Sequence, residues 1–159
     1  MWTTTDGQDW TTNKLGLPPG ASAAALTQVA IDGDHVVALG QATEAGRSVP
    51  FAELSTDGGA SWQERPFGSA APGVTVTALT VGSGGVTAAS QSGPRGQQNA
   101  QIWTSATGSA WASAQVSGLS GGGARQISAL VSASSGVSGI GTIATEQSQQ
   151  ALTLSLAPG

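Results

Sequence analysis

Cysteine and tyrosine are both absent from the 159-residue chain, and charged side chains are scarce at 9%. Without cysteine there are no disulfides, no thiolate zinc ligands and no thiol nucleophile. The formal net charge is −4, and the cations Lys14, Arg47, Arg65, Arg95 and Arg125 stand singly along the chain. Phosphate backbones are gripped by clustered Lys and Arg, so a nucleic-acid partner is not expected. Isolated cations also leave no basic amphipathic helix for a membrane surface. Membrane insertion is not expected either, because no run approaches the roughly 18 consecutive apolar residues of a spanning helix. The opening Met1-Trp2-Thr3-Thr4-Thr5-Asp6 has neither the charged nor the apolar region of a signal peptide.

Apolar residues nonetheless make up 38% of the chain and glycine contributes 24 residues. Disordered chains combine high net charge with few apolar residues, which is not the case here. Short Val, Ile and Leu runs recur between Gly and Ser clusters, the pattern of an all-β chain. Low Lys with abundant Gly, Ala, Ser, Thr and Gln suggests an exported protein of a GC-rich bacterium. An extracellular or cell-envelope location is therefore expected.

Three stretches align without a gap: Leu26 to Gly40, Val76 to Ser90 and Ile127 to Gly141. Each alternates apolar and polar residues, turns on small residues, and alternates again. The turns are Asp32-Gly33-Asp34, Gly82-Ser83-Gly84 and Ala133-Ser134-Ser135. Gly and Asp suit tight turns because they tolerate positive φ or bond their own backbone, so each stretch predicts a hairpin. A second set falls between the first. Trp2 to Trp10 and Trp103 to Trp111 match, and Leu54 to Trp62 follows the same pattern with its turn one residue longer. Both sets repeat at about fifty residues, a period typical of repeat architectures.

A hairpin from each set gives four antiparallel strands per unit, the content of a β-propeller blade. Small residues on the inner strands (Ala38, Ala88, Ala89, Gly139 and Gly141) suit a centre where blades converge. Residues 1–12 supply the last two strands of a blade, 26–65 and 76–116 a whole blade each, and 127–156 an incomplete one. About three blades cannot close, since propellers use about four to eight. Open sheet edges invite pairing, so the ring is expected to be completed by a second copy or by another segment of a longer polypeptide.

Ser55-Thr56-Asp57-Gly58-Gly59-Ala60-Ser61-Trp62 fits the pattern Ser/Thr-x-Asp-x-Gly-x-x-Trp at each defined position. The chain thus resembles the Asp-box repeat propellers, which include sialidases, sortilin-like receptor domains and non-enzymatic exported proteins. Thr4, Asp6 and Trp10 give a version one residue shorter. Ser105, Gly108 and Trp111 keep the frame, but Thr107 stands where the first copy has Asp. An Asp that opens a tight turn can accept N–H groups across it. The Trp supplies a large apolar body to wedge between sheets, with one indole N–H left to place. The resemblance implies that the boxes stabilise the fold and lie away from any active site.

Chemistry is harder to find. A sialidase uses a Tyr nucleophile, which this chain cannot supply. The resemblance also implies three arginines on the substrate carboxylate and an Arg-Ile/Leu-Pro motif, and Arg65-Pro66 lacks the middle residue. Other glycosidases need two facing carboxylates, for which Glu44 and Glu53 are the best placed. His35 has Asp34 and Ser48 near in sequence, but no Ser sits in a Gly-x-Ser-x-Gly elbow. Asp32 and Asp34 are too few oxygens for more than weak cation binding. Gly121-Gly122-Gly123 lacks the strand-to-helix context and the Lys of a phosphate loop. Phe51, Phe67 and the polar loop Gln91 to Gln98 could face a protein or glycan ligand. A non-catalytic interaction or scaffold domain without cofactor or metal is therefore expected, with a glycan-binding or glycosidase-like propeller as the alternative.

Overall fold

The computed structural model describes residues 2–4, 6–68 and 72–157. Met1 and Thr5 of the first expected hairpin, and Pro158 and Gly159, lie outside the described residues. Among those described, regular structure consists only of strands, arranged in four antiparallel sheets, none of them closed into a barrel. The first sheet is a short hairpin, β1 (Trp2–Thr3) on β2 (Thr11–Thr12). The next runs in chain order through β3 (Ala21–Asp32), β4 (His35–Glu44), β5 (Arg47–Ser55) and β6 (Gln63–Pro66). It is followed by β7 (Thr75–Gly82), β8 (Gly85–Ser92), β9 (Asn99–Ser105) and β10 (Ala112–Ala114). The last holds β11 (Ala124–Ala133), β12 (Gly136–Ala144) and β13 (Gln149–Leu156).

The expected hairpins form, each with the same irregularity. The pairing of β3 with β4 slips between Leu26 and Gln28, that of β7 with β8 between Val76 and Ala78, and that of β11 with β12 between Ile127 and Ala129. These are equivalent positions of the repeat. A bulge adds one residue to one strand and sharpens the local twist, so all three sheets coil at the same point. β3 also begins earlier than the apolar alternation suggests. Its Ala21 to Ala25 run has little β-propensity, and pairing with β4 holds it extended across a further bulge.

Two apolar layers hold the long sheets together. Val37, Leu39, Ala52 and Leu54 of β4 and β5 meet Val76, Leu79, Val86, Ala88 and Trp103 of the next sheet, with Phe67 between them. Trp103 lies 5.3 Å from Phe67, centroid to centroid, and Trp111 lies 4.8 Å from it. On the opposite face, Ala78, Ala89, Ala100 and Ile102 meet Ile127, Leu130 and Leu154 of the last sheet, and Leu119 closes the side. Alternate residues of β8 therefore serve different cores: Ala88 joins the first layer and Ala89 the second. Both are fully buried, which explains the small residues there. At Gly139 a Cβ would stand 2.8 Å from Leu130 Cδ2, so glycine lets the last sheet close on that side chain.

Candidate functional site

Box turns connect the third and fourth strands of each four-stranded sheet and the two strands of the N-terminal hairpin. In the turn after β5, the Ser55 hydroxyl accepts from Gly59 N–H at 2.8 Å and donates to Asp57 Oδ1 at 2.7 Å. Asp57 Oδ1 accepts Ser61 N–H at 2.8 Å, and Oδ2 accepts the Ser61 hydroxyl at 2.6 Å. The Trp62 indole N–H then donates to Gly59 O at 2.8 Å, folding the ring back on the turn it ends. The shortened turn repeats the scheme. Thr4 Oγ1 accepts Gly7 N–H at 2.9 Å, and Asp6 Oδ1 accepts from Gln8 and Asp9 at 2.9 and 3.0 Å. In the third turn Ser105 Oγ accepts Gly108 N–H at 2.8 Å, while the Thr107 hydroxyl, in the place of the Asp57 carboxylate, lies 2.7 Å from the Ser109 hydroxyl.

The donors around Asp57, led by the Ser61 hydroxyl, hold its carboxyl at about 2, below the ordinary 3.8. The backbone N–H of Gln8, first among its partners, lowers Asp6 as well. A depressed carboxylate contributes stability that is present above its unfolded value and lost as pH falls through the folded one. Acid titration is therefore expected to weaken the fold between 3.8 and about 2, and Asp57→Asn to flatten that limb. Circular dichroism across this range checks it. An acid limb that Asp57→Asn leaves unchanged contradicts the role given to the carboxylate.

The tryptophans that end the boxes differ in surroundings. Trp62 and Trp111 are half-buried, whereas Trp10 is 55% exposed. Trp111 Nε1 is buried without a partner, because its shorter turn does not place a carbonyl where Gly59 O serves Trp62. Trp62→Phe is therefore expected to cost about 1 kcal/mol for the lost hydrogen bond, beyond any packing change. Trp111→Phe should cost less, since it also removes a buried, unsatisfied N–H. Paired thermal melts measure the difference, and a larger loss at Trp111 would contradict it.

Strand register also moves one repeat equivalence. Trp103 lies opposite Ala88 and Leu154 opposite Gly139, and the residue in that place in the earlier sheet is Glu53, opposite Ala38. Leu54, which the sequence pattern puts there, faces the other layer. A carboxylate thus replaces the wedge used in the next two sheets. Glu53 is 3% exposed and lines a cavity of about 370 Å³ under the N-terminal segment Thr12 to Leu17, alongside Lys14, Trp62 and Glu64. Asn13 anchors that segment by donating to Gly59 O at 3.0 Å and Thr3 Oγ1 at 3.2 Å. Burial pushes the Glu53 carboxyl up, and the Glu64 charge directly opposite on β6 adds to the shift.

The other candidates do not assemble into a site. Glu44 pairs with Arg47 at the far end of β4, roughly 20 Å from the Glu53 level at about 3.3 Å per residue. The carboxylate beside Glu53 is Glu64 instead. His35 Nε2 lies 3.0 Å from Thr107 O of the next sheet. Ser48 hydrogen-bonds Gln41 Oε1 at 2.6 Å, at the other end of the hairpin from His35. Phe51 and Phe67 are both buried, so neither offers an exposed recognition surface. Among the described residues no three acidic or histidine side chains gather as metal ligands, and no helix is long and apolar enough to cross a membrane. Comparison with models of known protein families and with curated proteins finds no match.

Proposed function

We propose that the chain is part of an Asp-box β-propeller acting as a non-catalytic interaction or scaffold domain of an exported bacterial protein. One observation carries the reading: three successive sheets share a bulge at equivalent positions and meet through equivalent strands. A sheet apolar on both faces needs a neighbour on each side, and radial stacking of such blades supplies it. The boxes then brace the outer turns and leave the loops at either face for a protein or glycan partner.

A second reading rests on Glu53 and Glu64. A carboxyl raised by burial beside a second carboxylate is the arrangement with which glycosidases divide acid and base roles. A glycan array and a panel of fluorogenic glycosides, sialosides included, separate the two readings. Binding without turnover, or neither, agrees with the scaffold reading. Turnover that Glu53→Gln abolishes would overturn it.

A further inference from the structure

The large apolar side chains most exposed in the long strands occupy matching places at the two ends of the stack. On β3 they are Val29 and Ile31, 58% and 64% exposed; on β11 and β12 they are Val131 and Ile140, 64% and 61% exposed. Their repeat equivalents explain them. Leu39 and Leu79 share the first apolar layer, and Ala89 and Leu130, one repeat later, share the second. The next pair in the series is Ile140 with Val29. Likewise Ala30 and Val81 pack on the first layer. One repeat later the Ser132 N–H donates to Thr80 Oγ1 at 3.2 Å across the second interface. The next pair is Val131 with Ile31. The face that lacks a following sheet and the face that lacks a preceding one are therefore the two halves of an interface the chain makes twice internally.

We propose that these faces join two copies of the chain head to tail, Val131 and Ile140 of one against Ile31 and Val29 of the other. The proposal rests on the propeller reading, and a second copy is the occupant because this chain carries both halves of the contact. Contacts of this kind close only at a fixed rotation. Two copies give six blades, within the about four to eight that propellers use; one copy gives too few and three too many. The N-terminal hairpin lies where β13 of a docked copy would run. β1, paired over only Trp2 and Thr3, yields to it, and β2 becomes the fourth strand of the docked sheet.

Light scattering should give twice the 15.5 kDa of one chain, and Ile140→Asp, at an exposed position, should return the mass to a single folded chain. Because the chain has no cysteine, introduced thiols report contacts selectively. A mixture of Val131→Cys and Ile31→Cys chains treated with a short bismaleimide should give a crossed dimer, which neither variant gives alone. The double variant Thr80→Cys/Ser132→Cys is the matching contact inside one chain and should cross-link intramolecularly. A monomeric wild type, or a dimer that Val131→Cys alone cross-links, overturns the proposal. If the internal pair still links, the propeller reading survives that failure; if it does not, both fall.

Discussion

Trp103→Ala is expected to destabilise the chain by about 3–5 kcal/mol, the usual range for deleting a large aromatic from a core. Trp103 is 5% exposed, packs against Phe67, and donates its indole N–H to Ser90 Oγ at 2.8 Å. The substitution removes the body that fills the space between the two long sheets. It also leaves the Ser90 hydroxyl without that donor in a place water does not reach. At about 2–4 °C per kcal/mol for a chain of this size, the melting temperature should fall by roughly 6–20 °C. Trp2, at the equivalent place on β1, is 66% exposed, and Trp2→Ala should leave the melt nearly unchanged. Equal effects at the two positions would contradict the layer described between the sheets.

The second large effect comes from a glycine. Gly85 opens β8 at a φ of +101°, and a Cβ there would stand 2.5 Å from the Ser105 carbonyl oxygen and 3.1 Å from Ala106 Cα. Gly85→Ala combines a backbone conformation that L-residues avoid with a collision against backbone that cannot swing away. Strain of about 1–3 kcal/mol and overpacking of similar size suggest a loss of about 2–4 kcal/mol. Gly84 has nothing within 4 Å of its Cβ direction and no positive φ, so Gly84→Ala should stay within about 0.5 kcal/mol. Urea denaturation of the two variants compares them directly. A Gly84 loss as large as that at Gly85 would place the tight approach elsewhere.

The contrast between these neighbours shows what a sequence can carry. Gly82-Ser83-Gly84 reads as a turn from composition alone, yet the close approach to neighbouring backbone falls at Gly85, because it depends on β9 arriving alongside. Strands and hairpins were legible because alternation and turn chemistry are local. The box at Ser55 to Trp62 was legible for the same reason, since its bonds join residues at most four apart. The bulges left no such trace: nothing in Leu26-Thr27-Gln28 announces a slipped register. Glu53 was misplaced by one residue because Leu54 is the apolar neighbour and a wedge is expected to be apolar. It lines a cavity under the segment that Asn13 ties to Gly59, a contact between distant parts of the chain. The exposed Val29, Ile31, Val131 and Ile140 look like ordinary strand residues until the sheets that would cover them can be counted.

Small-angle X-ray scattering on the purified chain, with mass read from the same eluting peak, bears most directly on a propeller of repeated sheets. A closed six-blade disc predicts a flat particle with a central hole at twice the 15.5 kDa chain mass, its dimensions unchanged on dilution. A rod that lengthens with concentration, or a solid particle of one chain's mass, would contradict the closed ring of two copies.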